Sequence, residues 1–116
     1  MSSIAEALAA AIGADRVATD ADAVNARRYD QWAVKHLRDW RGEAVPAPGC
    51  VVRPQSVMDV QKVVKLAVGK RVPLIPYGLG SGVCGGIEPT PDAILLDMSS
   101  MNKVRYIDSD DLLASF

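Results

Sequence analysis

Apolar residues in the first part of the chain recur at helical spacing and are mostly alanine. Ser3 followed by Glu6 is the pattern of a capping box, and the stretch behind it predicts a helix over residues 4–12 that Gly13 ends. The mixed, polar stretch 20–28 predicts one further helical turn. Alanine side chains bury little area, so we expect the first helix to bind weakly to whatever it packs against.

Residues 29–40 place both tryptophans of the chain, Trp32 and Trp40, among charged residues. Large aromatic rings in a polar segment predict contact with another surface. That surface belongs either to the same domain or to a partner or further sequence, and the pattern favours neither. Stacking of these rings on a cofactor is the weaker hypothesis, and packing is the stronger one.

The chain changes character after the turn region 42–49, which contains two prolines and two glycines. Short apolar runs follow. They predict, in order, a buried strand over 50–52, a helix over 57–68 between Ser56 and Gly69, and strands over 72–75, 93–97, 104–108 and 112–116. The first strand, the helix and the second strand form a βαβ unit, so these two strands should be parallel.

The predicted helix over 57–68 has one apolar side. Helical spacing places these residues on one face: Val57, Val60, Val63, Val64, Ala67 and Val68. Lys62 and Lys65 lie elsewhere and should face solvent. Together the elements predict an α+β fold with a short parallel or mixed sheet after N-terminal helices. We divide it into an N-terminal helical segment, residues 1–48, and a second part, residues 49–116.

Composition narrows the class of protein. The chain has 116 residues and a formal net charge of −1, so it has no basic excess for binding a nucleic acid or an anionic membrane. Its two cysteines, Cys50 and Cys84, are too few for a disulfide framework, which predicts a reduced, cytoplasmic setting. Residues 1–13 lack the pattern of a signal peptide, and no apolar run reaches the roughly 20 residues that span a bilayer.

The most informative local pattern is the glycine loop, residues 76–86. It holds five glycines within nine residues: Gly78, Gly80, Gly82, Gly85 and Gly86. Glycine reaches positive φ and lets a ligand approach the backbone closely, and successive amides then form a concave nest for an anion. Ser81 adds a hydroxyl group, and the loop has no lysine. This composition predicts a diphosphate held by backbone amides.

One familiar phosphate loop is absent from the sequence and another is disfavoured. The Walker A loop ends in Gly-Lys-Ser/Thr, which this loop lacks. Residues 80–85 match Gly-x-Gly-x-x-Gly, but that dinucleotide motif must open a helix, and here Pro89 and Pro91 follow. The acidic residue expected about 20 residues further on is missing, because Asp97 comes too early. A Rossmann domain is therefore disfavoured.

Segments on both sides of the loop occur in a recognisable order. They are residues 50–54, 56–60, 72–76, the glycine loop, residues 95–97 with 101–102, and residues 104–108. As a set they resemble the first half of the FAD-binding domain of the vanillyl-alcohol oxidase and p-cresol methylhydroxylase superfamily. Within it, the chain looks like the glycolate oxidase and D-lactate dehydrogenase subunits. The resemblance implies a domain truncated at its C-terminus.

The resemblance also implies a cofactor and a site. FAD would be held without a covalent bond, since Ser81 stands near the position where some relatives carry an attaching histidine. The residues implied to bind the cofactor are Pro76, Tyr77, Gly78, Leu79, Gly80, Ser81, Gly82, Val83, Gly85 and Gly86. Leu79 departs from the family, which often has glycine there, and a positive φ would strain it. We expect no catalytic part for His36, Cys50 or Cys84, and no metal site.

Three functions stay open at this point. The resemblance implies the FAD-binding portion of a flavin-dependent oxidoreductase that oxidises a small 2-hydroxy acid, glycolate or D-lactate, with the catalytic residues outside this chain. The second is a non-catalytic fragment or interaction module that pairs the open edge of strand 112–116 with a copy of itself. The third is a fragment of a transferase similar to the alkyl-glycerone-phosphate synthases, which use the same flavin loop.

Overall fold

The sequence folds into the mixed α+β arrangement that its patterns predict, and the computed structural model describes residues 3–116. The helices are α1 (Ile4–Ile12), α2 (Ala21–Asn25), α3 (Ala33–Trp40) and α4 (Val57–Lys70). The strands are β1 (Val17–Ala18), β2 (Cys50–Val52), β3 (Leu74–Tyr77), β4 (Ile94–Asp97), β5 (Tyr106–Asp108) and β6 (Leu113–Ser115). Short 3-10 turns occupy Ala14–Arg16 and Met98–Ser100. Met1 and Ser2 of the stretch 1–13 lie outside the described residues.

The first helix confirms the prediction from its capping box. The Ser3 hydroxyl accepts the amide hydrogen of Glu6 at 3.2 Å, and the Glu6 carboxylate accepts that of Ser3 at 2.9 Å. Gly13 follows the last turn with φ +110°, a conformation that other residues rarely adopt. Leu8 and Ile12 are buried and carry the packing of α1 against the core that it shares with α4.

The main sheet has the strand order β1-β2-β4-β3. Strands β2 and β3 both run parallel to β4, which confirms the parallel orientation expected of the βαβ unit. They are not neighbours, however, because β4 lies between them. Strand β1 pairs antiparallel with β2, so the N-terminal part of the chain adds an edge to the sheet.

The core lies on both faces of the two central strands. One buried cluster joins alternate residues of β2 and β4 to the two long helices: Leu8, Ile12, Cys50, Val52, Val63, Ala67, Ile94 and Leu96. Val51 and Leu95 point to the opposite face and are also fully buried. Burial raises the pKa of the Cys50 thiol to about 11, so this cysteine packs in the core as an uncharged thiol.

Helix α4 corrects two details of the prediction. It continues through Gly69 to Lys70, and Arg71 adopts the left-handed conformation at φ +54° that ends it. The apolar face is also narrower than its spacing suggests, since Val57 and Val68 are 65% and 72% exposed. Helix α4 has fourteen residues, and no helix within residues 3–116 is long and apolar enough to cross a bilayer.

The last two strands form a hairpin apart from the main sheet. Strand β6 pairs antiparallel with β5, so the terminal strand finds its partner within this chain. The Asp108 carboxylate holds the turn between them by accepting the amide hydrogens of Asp110 and Asp111 at 3.0 Å. Both strands are shorter than the predicted ones.

Candidate functional site

The glycine loop includes the last two residues of β3 and continues beyond the carboxyl end of this strand, which lies parallel to its neighbour β4. Ligands of parallel sheets bind at this end of the strands. A cavity of about 440 Å³ opens here, a volume within the range of small-molecule sites. The residues that line it are Asp30, Pro76, Gly78, Leu79, Gly80, Ser81, Gly82, Val83, Cys84, Gly86 and Ile87.

The structure therefore brings eight of the ten predicted cofactor residues to one cavity. The other two, Tyr77 and Gly85, do not line the cavity and instead take part in contacts that support the loop. An added Cβ at Gly80, which has φ +66°, would overlap the Tyr77 hydroxyl and lie 2.7 Å from its ring carbon Cζ. An added Cβ at Gly85, which has φ +76°, would lie 2.9 Å from ring carbon Cδ2 of Trp32.

The backbone amides of the loop are free to bind a ligand. Within residues 3–116, the amides of residues 79–85 donate no hydrogen bond to another protein group. The next amide, that of Gly86, donates to the Asp30 carboxylate at 2.9 Å. A run of unpaired amides on an exposed concave loop has the chemistry of an anion nest. Asp30 is the one charged residue in the lining, so an anion here would be held by these amides.

The glycines of the loop fall into two groups. Gly80 and Gly85 are required by the protein itself, because a Cβ on each would approach the Tyr77 or the Trp32 ring to less than 3.0 Å, and a Cβ on Gly82 would come within 3.3 Å of the Asp30 carboxylate. Gly78 and Gly86 meet no protein atom within 4 Å of an added Cβ, yet both line the cavity. The absence of side chains at these two positions leaves space for a ligand rather than for the protein.

The backbone conformation at Leu79 is one that leucine adopts without strain, although the family that the sequence resembles often has glycine there. Its φ is not positive, so the expected backbone strain does not occur. Its side chain is 86% exposed at the tip of the loop. The amide of Leu79 is thus available in the same way as those of the glycines beside it.

The two tryptophans of residues 29–40 differ in burial and in contacts. Trp32 packs on Gly85 of the glycine loop, so a surface for its ring lies within this chain. Trp40 is 83% exposed and contributes little to this contact. His36 is exposed, and its Nε2 atom lies 3.0 Å from the backbone oxygen of Asp30. Cys84 is exposed as a free thiol on the loop.

A charged cluster lies on the other side of Gly78 and Leu79, beside a second cavity of about 270 Å³. Asp97, the last residue of β4, is 1% exposed. Its carboxylate accepts from Arg27 Nε at 2.7 Å and from the Ser99 amide at 3.0 Å, and lies 3.4 Å from Arg53 Nε. Burial by itself raises the pKa of Asp97, but the hydrogen bonds from Ser99 and the Arg27 cation outweigh it and hold the pKa below its ordinary value.

Sequence reasoning missed Asp30, Arg27 and Lys35, which are distant from the glycine loop along the chain. Asp30 is 2% exposed and lines the cavity, and Lys35 is 2% exposed and pairs with Glu88 at 2.9 Å. The only hint in the sequence was the pair of tryptophans around them, which predicted contact with a larger surface. Within residues 3–116, no group of three or more His, Cys, Asp or Glu side chains is placed to hold a metal ion.

Comparison with known proteins agrees with this geometry. The sequence profile of the family described as FAD binding domain matches residues 48–116. The chain is 31% identical over 68 residues to glycolate oxidase subunit GlcD of Bacillus subtilis (strain 168), an alignment that covers 59% of this chain and 14% of that protein.

Two solved structures share the fold. An alkyldihydroxyacetonephosphate synthase superposes with a TM-score of 0.81 and 30% identity, covering 96% of this chain and 21% of that one. The structure of p-cresol methylhydroxylase with substrate bound has a TM-score of 0.66 and 23% identity, with 90% and 19% covered. The α+β fold of the p-cresol methylhydroxylase type is thereby confirmed. The chain spans between a seventh and about a fifth of the length of these proteins.

Proposed function

The chain belongs to the FAD binding domain family, and on this premise we propose that its glycine loop holds the pyrophosphate of FAD through backbone amides. The observation that carries the proposal is the run of unpaired amides over residues 79–85, on a loop that lines an open cavity. The Ser81 hydroxyl adds a donor among them. Gly78 and Gly86 permit close approach, because each lacks a side chain without any protein atom that requires its absence.

The residues of the loop can hold the diphosphate of a dinucleotide without a cationic side chain. Amides oriented by a folded loop stabilise an anion with fixed partial charges, and a loop free of lysine can serve the purpose. The redox chemistry would come from bound FAD, which would serve as the acceptor for a hydride from a substrate carbon that bears a hydroxyl group. The chain's own part is to bind and orient the diphosphate at the carboxyl end of β3. Binding is proposed to be non-covalent, since Ser81 stands near the position where some relatives carry an attaching histidine.

The pyrophosphate assignment predicts a distinct ligand preference for the 116-residue chain. FAD and ADP, which carry a diphosphate, should shift the amide resonances of residues 79–85 in a heteronuclear NMR titration of the isotope-labelled protein. Riboflavin, which has the ring but no phosphate, should bind at least about tenfold more weakly, because it forms none of the charge-assisted hydrogen bonds to the amides.

The titration also distinguishes the alternatives. Shifts in the loop with riboflavin equal to those with FAD would contradict pyrophosphate binding by these amides. Concentration-dependent broadening confined to β5 and β6, with no ligand shift in the loop, would instead favour the self-associating module. That second candidate is supported by the apolar side chains exposed on the hairpin, Ile107, Leu112 and Phe116, which are 73%, 89% and 79% exposed.

For the whole protein we propose oxidation of a small 2-hydroxy acid of the glycolate or D-lactate type. The proposal draws on the resemblance of the chain to glycolate oxidase subunit GlcD. The high TM-score to alkyldihydroxyacetonephosphate synthase supports a transferase as the competing candidate. We assign neither a substrate pocket nor acid–base residues to this chain. The proposal about the substrate therefore concerns the protein as purified from its natural source.

The hydroxy-acid oxidase and the transferase should differ in whether a 2-hydroxy acid reduces the bound flavin. Anaerobic addition of glycolate or D-lactate to the flavin-loaded protein from its natural source should bleach the yellow flavin absorbance, because the hydride transferred from substrate reduces the ring. L-lactate is the matched control and should bleach it at least about a hundredfold more slowly, since a chiral pocket rejects the wrong hand. Flavin that stays oxidised with both hydroxy acids would favour the transferase.

We further propose the division into residues 1–48 and residues 49–116, and a cytoplasmic setting. The division is supported by the family match, which begins at residue 48. The setting is supported by the two cysteines, since Cys50 and Cys84 are both free thiols.

A further inference from the structure

Residues 30–35, which we call the clamp segment, lie along the second half of the glycine loop. Oδ2 of Asp30 accepts the amide hydrogen of Gly86 at 2.9 Å. The amide of Gln31 donates to the carbonyl oxygen of Gly82 at 2.8 Å. These two hydrogen bonds fix backbone groups near both ends of the turn from residue 82 to residue 86.

Two longer side chains of the clamp segment extend the contact. The Trp32 ring covers Gly85 so closely that an added Cβ would lie 2.9 Å from its Cδ2 atom. The Lys35 ammonium group pairs with the Glu88 carboxylate at 2.9 Å, just beyond the loop. The second half of the loop is therefore tied to the clamp segment at residues 82, 85 and 86, and the Lys35–Glu88 ion pair adds a contact just beyond it.

Hydrogen bonds within the clamp segment and between the residues on either side of it stabilise its conformation. Oδ1 of Asp30 accepts the amide hydrogen of Trp32 at 3.0 Å, which fixes the turn that leads into α3. On the far side of the segment, Asp39 accepts hydrogen bonds from the Arg28 guanidinium and the Tyr29 hydroxyl. These contacts involve only the chain itself, so none of them needs a ligand in order to form.

We propose that the clamp segment positions the glycine loop for the pyrophosphate of FAD, with Asp30 as the central positioning residue; this inference rests on the proposed function of the loop. Asp30 acts through the loop, because both carboxylate oxygens already accept an amide hydrogen and the residue is 2% exposed. Loop amides held in the binding shape lose less conformational entropy when the ligand binds, which raises affinity. The segment precedes residue 48, where the family match begins.

Asp30→Asn tests the positioning role with little change in size. The asparagine carbonyl can still accept from Trp32, but its NH₂ group then faces the Gly86 amide, donor against donor. We expect FAD to bind the 116-residue variant about tenfold more weakly than the wild type, the effect of one buried donor left unpaired. The readout is the FAD titration of loop amide resonances described above.

Asp59→Asn is the matched control. Asp59 is also buried, at 6% exposed, and also accepts a backbone amide hydrogen, that of Gln55 at 3.0 Å, but its partners lie outside the glycine loop. This variant should be less stable than the wild type and yet bind FAD with unchanged affinity. Equal weakening of FAD binding in both variants would refute a specific role for Asp30, as would unchanged affinity in Asp30→Asn.

Hydrogen exchange in the wild-type chain without ligand provides a test that needs no variant to fold. The Gly86 amide should exchange at least about tenfold more slowly than the amides of residues 79–85. The reason is that the Gly86 amide is hydrogen-bonded to a buried carboxylate, whereas those seven amides have no protein acceptor within residues 3–116. Equal exchange rates would overturn the clamp. The two hypotheses also fail separately: a wild-type loop that ignores FAD defeats the pyrophosphate proposal, whereas protection of Gly86 still reports on the clamp.

Discussion

Replacing Gly80 with valine should weaken FAD binding by about a hundredfold, because two effects of about 1.4 kcal/mol each act together. Gly80 has φ +66°, a conformation that a β-branched residue adopts only with strain. An added Cβ would also lie 2.7 Å from Cζ of the Tyr77 ring. The loop must therefore move off the Tyr77 ring, and the amides on either side of Gly80 lose their common direction.

Two further valine variants identify the cause. Gly69→Val places the same side chain in α4, in open space and away from the loop, and should leave FAD affinity unchanged. Gly78→Val also meets no protein atom within 4 Å of its Cβ, but Gly78 lines the cavity. It should keep the melting temperature of the wild type and still weaken FAD binding. Wild-type FAD affinity in Gly80→Val would contradict the assignment of the loop.

Local patterns in the sequence were sufficient for much of the fold. The capping box predicted α1 with its observed bounds, and the apolar run at Cys50 predicted β2, because each depends on neighbours in sequence. Gly69 misled the prediction of the end of α4, since a glycine inside a helix is tolerated and Arg71 supplied the left-handed residue instead. The position of β4 between β2 and β3 depends on pairing between distant strands, for which no local pattern exists.

The site shows the same division between local and distant information. The glycine loop could be proposed from the sequence because glycine content is itself the physical requirement for an amide nest. Asp30 was missed because one aspartate in a polar stretch has no periodicity, and its partner Gly86 lies 56 residues further along the chain. The sequence therefore predicted the loop that lines the cavity, and the structure was needed for the contacts that support this loop.

Replacing Asp97 with alanine lowers the free energy of unfolding by about 3 kcal/mol, the effect of breaking a buried ion pair by removing one partner. Arg27 and Arg53 would be left close together without the carboxylate that separates their charges, and the Ser99 amide would lose its acceptor. Three elements meet at this carboxylate: the residues after α2, those after β2, and the turn after β4. Urea denaturation of the wild type and the variant, followed by circular dichroism, measures the difference.

Asp92→Ala makes the same replacement at an exposed position just before β4 and should change the free energy of unfolding by less than about 0.5 kcal/mol. A similar small effect in Asp97→Ala would show that the cluster does not stabilise the fold.

Acid provides an independent check of the same cluster through the pKa of Asp97. Because folding lowers this pKa below its ordinary value of 3.8, the ionised carboxylate stabilises the folded state at neutral pH. That stabilisation is complete above the unfolded-state pKa and is lost as the pH falls through the lower pKa of the folded state. The melting temperature of the wild type should therefore decrease as the pH falls below about 5. Asp97→Ala should have a weaker pH dependence over this range, and the part that persists is expected from Asp59, whose pKa the Gln55 amide also lowers. Identical pH dependence in the wild type and the variant would mean that the Ser99 hydrogen bonds and the Arg27 cation do not lower the pKa of Asp97.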